Sequence, residues 1–501
     1  MQPLIRWSLT GLYLLVVCLI ASYGLHRYWL VYLFYRRRRN APRPARRYDE
    51  LPPVTVQLPL YNEDMVAHRV IDAACALDYP TGKLQIQVLD DSTNESAMIA
   101  AGRVAHWAAR GVDIQHLHRP DRHGFKAGAL ANALPQATGQ FIAVFDADFV
   151  PPRDFLRRTI HYFTDPAIGM VQTRWDHLNR DDSLLTRSQA IFLDGHFIIE
   201  HTARNRAGRW INFNGTAGIW RRQAIVDAGG WQHDTLTEDV DLSYRSQMAG
   251  WHFVFLPRVK CPAQLPPEIN AFKAQQHRWT KGSIQTARKL LPRLLGSAVP
   301  PSVKVEAFFH LTSPMVYLYV TLMALLLYPA VLVNSAPFER GTMAGVIFAT
   351  SLFALGTASA AVFYVASQRA QHRSVAGTVA AIPVLMSIGV GIALNNARGC
   401  VEALLGRPSP FERTPKYQTT RRAGRRHGEP IIATPSIKLW MSFLEIAMGL
   451  YTLYCARLSI GAEYTLLSLP FLLLFAFGYL YVGLNSLYSQ ISARFSDGVV
   501  R

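Results

Sequence analysis

The sequence predicts an α/β, Rossmann-like domain joined to an α-helical transmembrane region. Three observations carry that expectation. Between Pro52 and Leu295 short β-branched runs alternate with helical periodicity, and nothing there is apolar enough to span a bilayer. On both sides of that stretch lie apolar runs near or above the roughly 20 residues that cross a membrane. The chain of 501 residues is 50% hydrophobic and only 17% charged, too apolar for an ordinary soluble protein and too polar for a pure membrane bundle.

The first element, residues 1–35, is a membrane anchor. Trp7 to Tyr35 is apolar apart from His26 and Arg27, and it stops against Arg36, Arg37, Arg38 and Arg39. A secretory signal would have an apolar core of about 7–15 residues and a small-residue cleavage site. This run is longer and has no such site. Its aromatic end (Tyr28, Trp29, Tyr32, Phe34, Tyr35) suits a membrane interface. Residues 36–52 form a basic linker.

Residues 53–300 make the soluble domain. Val54–Leu58, Gln85–Leu89, Val112–Leu117, Gln140–Phe145 and Gly169–Thr173 read as strands. Between the first two, Val66, Val70, Ala73, Ala74 and Leu77 recur at helical spacing, and Pro80 closes the helix. Such alternation implies a parallel sheet covered by helices, with ligands beyond the carboxyl ends of the strands.

Residues 301–367 read as two transmembrane helices (Val305–Val333 and Met343–Ala366), and residues 437–489 as two more (Ile437–Tyr454 and Tyr464–Leu487). Residues 375–406 read as an interfacial or re-entrant helix. That segment holds Pro383, Asn395, Asn396, Arg398 and Glu402 and leads into Arg421, Arg422, Arg425 and Arg426. A full crossing would place this basic cluster outside, against the positive-inside rule. Five spans then put the N-terminus outside and the soluble domain and the 490–501 tail in the cytosol. The expectation is an integral protein of a bacterial inner (plasma) membrane.

The formal charge of +18 comes from 52 Lys+Arg against 34 Asp+Glu. Its two arginine clusters flank apolar segments, so topology and anionic membrane lipids account for them, and no nucleic-acid motif accompanies them. The five cysteines are scattered without a C-x-x-C pair, which suggests neither a disulfide framework nor a zinc site.

The motifs follow the strand ends. Pro59-Leu60-Tyr61-Asn62-Glu63 comes after the first strand; Tyr61 can pack on a base and Glu63 can accept its N–H, although alone Asn62 reads as a helix cap. Leu89-Asp90-Asp91-Ser92 ends the second strand with carboxylates suited to uracil or ribose. His123-Gly124-Phe125-Lys126-Ala127-Gly128 offers Lys126 to a diphosphate. Asp146-Ala147-Asp148 follows an apolar strand, where a hard cation bound by carboxylates and diphosphate oxygens relieves the cost of unpaired burial. Thr237-Glu238-Asp239 opens a helix running to about Met248; Thr235 and Glu238 have capping-box spacing, and Asp239 is placed to act as a general base. In Gln275-Gln276-His277-Arg278-Trp279, Trp279 can stack on a sugar while Gln275 and Arg278 hydrogen-bond acceptor or diphosphate.

In that order the set (PLYNE, DDS, KAG, DAD, TED, QxxRW) resembles the membrane-bound family 2 glycosyltransferases, which include cellulose, chitin and hyaluronan synthases and cellulose-synthase-like mannan synthases. The FNGTAG, QQHRW and KAGAL strings are most similar to plant family A-like mannan synthases and their bacterial relatives. The resemblance implies a GT-A glycosyltransferase fold, an inverting reaction, a β-linkage and a Mg or Mn ion. It implies nucleotide-sugar contacts by Tyr61, Glu63, Asp91, Lys126 and Asp146, metal at Asp148, the base at Asp239, and acceptor contacts by Gln275, Arg278 and Trp279. Asn214 and Gly215 lie in a loop that resembles the one cupping the acceptor end. Residues 407–430 resemble a gating loop through Phe411, Thr414 and Lys416, departing from its pattern at Arg413.

The expected activity is hexose transfer from UDP-glucose or GDP-mannose, both of which fit, onto a growing β-glucan, mannan or glucomannan. Coupled export through the spans is expected, with accessory export subunits as possible partners. Tyr317, Tyr319, His310 and Asn485 are polar or aromatic residues able to line such a path. A non-processive transferase acting on a membrane lipid shares the nucleotide site, the base and QxxRW, so only the span count and the gating-like loop favour the processive reading. A catalytically dead glycan- or lipid-binding protein is disfavoured by retention of Asp146, Asp148, Asp239 and QxxRW together.

Overall fold

The computed structural model describes residues 2–334, 343–409, 439–460 and 469–499. Phe411, Thr414, Lys416 and the Arg421–Arg426 cluster therefore lie outside the described residues.

The predicted α/β domain is built on a seven-stranded sheet in the order β3-β2-β1-β4-β6-β5-β7. The strands are β1 Val54–Leu60, β2 Leu84–Asp90, β3 Ile114–His118, β4 Phe141–Val144, β5 Ile168–His177, β6 Gly218–Arg221 and β7 His252–Ala263. Alternation assigns the two faces. Val54, Val56, Leu58, Phe141 and Ala143 pack with Val70, Ile71, Ala74 and Val104 from the helices of one side. Ile142, Val144 and Trp220 pack with Leu130 and Ala133 on the other. The register of β1 on β2 is pinned by polar pairs: Thr55 donates to Gln85 Oε1 at 2.8 Å and Gln57 to Gln87 Oε1 at 2.9 Å, each opposite its ladder partner. A one-residue slip would break both and turn the valines away from the core.

The sheet is mixed, not parallel throughout. β1 to β4 pair in parallel, and so do β5 and β7, but β6 runs antiparallel between β4 and β5. That reversal matters for the site. Val144 pairs with Gly218, so the loop entering β6 arrives beside the carboxyl end of β4. The Asp146 amide there donates to Thr216 Oγ1 at 2.9 Å.

The helix Glu238–Met248 starts where the TED motif predicts. The capping box does not form: Thr237 precedes the helix without a side-chain cap, and the buried Thr235 hydroxyl has no hydrogen-bond partner among the described residues. Glu238, Asp239 and Asp241 all lie in the first turn, where the helix dipole favours acids. The helix Ile269–Leu295 carries QxxRW. It is capped by Glu268, whose carboxylate accepts the Asn270 and Ala271 amides at 3.0 and 2.8 Å.

Among the described residues, three helices are long and apolar enough to cross a membrane: Gly11–Arg37, Leu439–Ser459 and Leu469–Ser492. Two further pairs qualify jointly. Pro301–Thr312 with Met315–Leu327 bends by 56°, and Val375–Gly391 with Ala393–Leu404 by 42°. The apolar helices are tied to the α/β domain by buried ion pairs. Lys273 meets Glu445 at 2.8 Å with both side chains fully enclosed, and Arg204 meets Glu306 at 2.8 Å. Breaking one partner of such a pair strands a buried charge, so each fixes how the helices dock.

Candidate active site

The carboxyl ends of β1 and β2 are clasped together. Asn62 sits at φ 50°, a region asparagine tolerates better than most residues. Its amide donates to Ser92 Oγ at 2.8 Å, and its side-chain oxygen accepts from the Thr93 amide at 2.9 Å. The cap that Asn62 alone suggests is not formed, since the next helix begins at Ala67. The aromatic face of Tyr61 is covered by the Arg122 guanidinium, 3.4 Å from the ring centroid. Asp91 accepts two hydrogen bonds from Arg119, at 2.7 and 2.6 Å. Glu63 is buried. Tyr61, Glu63 and Asp91 thus share the strand-end edge with the other candidates but do not line the central cavity.

That cavity, about 110 Å³, collects the remaining described candidates from five elements. Lys126 comes from the first turn of the helix Phe125–Ala133, and Asp146 and Asp148 from the loop after β4. Asn214 and Gly215 come from the loop entering β6, and Asp239 from its helix start. Gln275, Arg278 and Trp279, three and four residues apart on one helix, present a common face.

Lys126 is the electrostatic centre. Its Nζ lies 2.6 Å from Asp146 Oδ1 and 3.8 Å from Glu238 Oε1, and donates to the Gly215 carbonyl at 2.8 Å. Burial lowers its ammonium, but Asp146 and Glu238 more than offset this and hold it above its ordinary value. Asp239 behaves oppositely. Burial, and then the neighbouring Glu238 carboxylate, push its carboxyl up to about 7, against the pull of Lys126. A carboxylate tuned to that value is matched to proton abstraction at neutral pH.

A second cavity, about 470 Å³, opens behind the first and shares Trp175, Asn214, Asp239 and Trp279 with it. It runs to His26 on the N-terminal helix and to His310, Tyr317 and Tyr364. Of the path residues expected from sequence, His310 and Tyr317 line it, while Tyr319 and Asn485 do not. Asp239 therefore faces both spaces. His196, in a π-helical turn Gly195–His201, lies 2.9 Å from the Asn214 side-chain nitrogen and bonds Glu200 at 2.9 Å.

Sequence reasoning missed Glu238 as a site residue although its motif was in view. It also missed Arg119 and Arg122, whose only signal is their place just before KAG, and Trp175, which the strand-end rule could have found. The first cavity is lined by four carboxylates (Asp146, Asp148, Glu238, Asp239) and two cations (Lys126, Arg278). This acidic excess and its oxygen donors fit a hard divalent cation.

Residues 52–282 match the family described as "Glycosyltransferase like family 2". The chain is 40% identical over 267 residues to glucomannan 4-beta-mannosyltransferase 1 of Cyamopsis tetragonoloba, covering 52% of this chain and 51% of that protein. It is 40% identical over 278 residues to glucomannan 4-beta-mannosyltransferase 2 of Arabidopsis thaliana, covering 53% and 52%. The chain thus spans about half the length of the curated relatives it matches. Among solved structures it is similar to the mannosyltransferase PcManGT from Pyrobaculum calidifontis in complex with GDP-Man and Mn2+. The TM-score is 0.53 at 21% identity, over 78% of this chain and 100% of that one, which shows the fold. Residues 52–282 thus carry a domain of the glycosyltransferase family 2 type with a GT-A fold, similar to the cellulose-synthase-like mannosyltransferases.

Proposed function

We propose that this glycosyltransferase family 2 domain moves a hexose from a nucleotide sugar to the end of a growing β-linked glycan, a β-glucan, mannan or glucomannan. The observation that carries the proposal is the position of Asp239, tuned to about 7 and facing both cavities beside Trp279. Donor in the smaller space and acceptor in the larger would meet at its carboxylate.

In this reading Asp239 takes the proton of the acceptor hydroxyl as that oxygen attacks the anomeric carbon, and the nucleoside diphosphate leaves from the opposite face, inverting the configuration. Trp279 stacks on the terminal acceptor sugar, while Asn214, Gly215 and Gln275 border it. Lys126 and Arg278 face the diphosphate. Tyr61, Glu63, Asp91 and Asp146 hold the nucleotide, with Arg122 moving off Tyr61 to free its face for the base. A Mg or Mn ion held by Asp148 would neutralise charge on the leaving diphosphate. GDP-mannose is favoured over UDP-glucose by the relatives named mannosyltransferases, and GDP-Man and Mn2+ in the related fold fit the same choice.

The apolar helices make the chain an integral membrane protein in this reading, with the soluble domain in the cytosol of a bacterial inner membrane. Residues 375–406 lie at the interface. The larger cavity, bounded by apolar helices, also suits export of the product. Its walls include Phe192, Tyr317 and Leu385, so a lipid-borne acceptor is the second reading.

Purified protein incubated separately with GDP-mannose and UDP-glucose, reading nucleoside diphosphate release and product length, tests the proposal. A long product cleaved by β-mannanase or β-glucanase supports polymer synthesis. A glycolipid with one or two sugars selects the lipid acceptor, and no release from either donor removes the proposal.

A further inference from the structure

The edge strand β3 carries ligand-type side chains that the transfer chemistry does not use. His116 and His118 are two residues apart on a strand, so both imidazoles project from one face of the sheet. The ladder pairs His118 with Asp90 and His116 with Val88, two residues before Asp90, so the Asp90 side chain shares that face. His116 Nε2 and His118 Nδ1 consequently lie 2.8 and 3.8 Å from the same oxygen, Asp90 Oδ2. One ligand atom from each of the three residues lies within 4.8 Å of the others.

We infer that Asp90, His116 and His118 form a binding site for one transition-metal dication, for which Zn2+ is the fitting probe. Around a tetrahedral zinc with bonds of about 2.0–2.1 Å, donor atoms stand roughly 3.3 Å apart. The two separations from Asp90 Oδ2 bracket that value, the imidazole nitrogens lie within 4.8 Å of each other, and rotation of the exposed His118 ring would bring its nitrogen closer. Two imidazoles and a carboxylate suit Zn, Cu or Ni better than the hard ions that all-oxygen sites take.

The surroundings are those of a metal site with one open position. The Asp90 side chain is fully enclosed, while those of His116 and His118 are 20% and 44% exposed, so the group is closed toward the protein and open toward water. The Ser92 amide donates to Asp90 Oδ1 at 2.9 Å, which turns Oδ2 toward the imidazoles, as outer partners of metal ligands do. A hydrogen bond to Asp90 explains His116 by itself. It does not explain His118, whose 3.8 Å approach to the same oxygen is beyond hydrogen-bond range.

This group is distinct from the Asp146–Asp148 pair. Asp90 ends β2 and Asp146 follows β4, with β1 between them, so two strand spacings, roughly 10 Å, separate the groups. Metal here would tie the edge strand to β2 at the point where the chain enters the Asp91–Thr93 loop clasped by Asn62. It would brace one side of the nucleotide cleft without touching the reacting atoms.

The test is zinc binding itself, independent of transferase activity. Full-length protein, freed of any polyhistidine tag and stripped with chelator, is titrated with Zn2+ against a chromophoric competitor while its melting temperature is followed. Wild type should take up one equivalent with a rise in Tm. Both His118→Ala and His116→Ala should weaken binding at least tenfold and abolish the rise, and Asp148→Asn should leave both intact. His118 is exposed, so His118→Ala remains informative should His116→Ala fail to fold. Equal zinc affinity in wild type and in His118→Ala, no uptake by wild type, or loss of uptake in Asp148→Asn would overturn the inference.

Discussion

Gly215 and Asp239 approach so closely that a Cβ on Gly215 would stand 3.1 Å from Asp239 Oδ2 and 3.4 Å from Lys126 Nζ. Gly215 also sits at φ +79°, where an L side chain costs about 1–2 kcal/mol. Gly215→Ala should therefore lower kcat more than tenfold by displacing the carboxylate, with a fall in Tm of only a few degrees. Unchanged kcat in a folded variant would mean that the Asp239 position is not critical.

Lys126 pulls the Asp239 carboxyl down, against burial and Glu238, which push it up. Lys126→Ala should shift the acid limb of the kcat/KM profile to higher pH and raise the donor KM. A limb that stays in place or moves to lower pH would contradict this electrostatic arrangement.

The direction of the Asp239 shift also fixes a stability effect. Its folded value, about 7, is above the ordinary aspartate value of about 3.9, so the folded state binds the proton more tightly. The resulting stabilisation is full below pH about 4 and is lost as pH rises to about 7. Asp239→Asn removes that loss. Its Tm relative to wild type should rise between pH 5 and pH 8, as thermal unfolding in detergent would show. A difference that is flat or falls with pH would count against a raised pKa.

The parts of this fold legible in sequence are those where one side-chain pattern dominates. β1, β2 and β4 show as β-branched runs because they are central and buried on both faces. β6 has four residues, beginning with glycine and ending with arginine, and offers no pattern. β7 is interrupted by Pro257, Arg258, Lys260 and Pro262, and its pairing with β5 shifts register across residues 257–259. Strand direction has no local signal, so the reversal of β6 was invisible, and with it the reason Gly215 lies beside Asp146. Lys126, Asp146, Asp148 and Asp239 could be found because strand ends and helix starts place them, and QxxRW because its residues recur at helical spacing. The hold of Arg119 on Asp91 and of Arg122 on Tyr61 depends on side-chain reach between loops, which spacing does not encode.

The acidic excess of the first cavity predicts a metal requirement. Excess chelator should abolish transfer, and Mg or Mn should restore it. Asp148→Asn should raise the metal concentration needed for half-maximal rate at least tenfold. Full activity in chelator would contradict the role given to Asp148.

The central claim is that Asp239 removes the acceptor proton, and Asp239→Asn tests it most directly. Donor affinity and nucleoside diphosphate release are to be measured for wild type and variant with the donor that wild type turns over. The account predicts unchanged donor affinity with transfer reduced by about 10²–10⁴-fold. Transfer within a few-fold of wild type would contradict it.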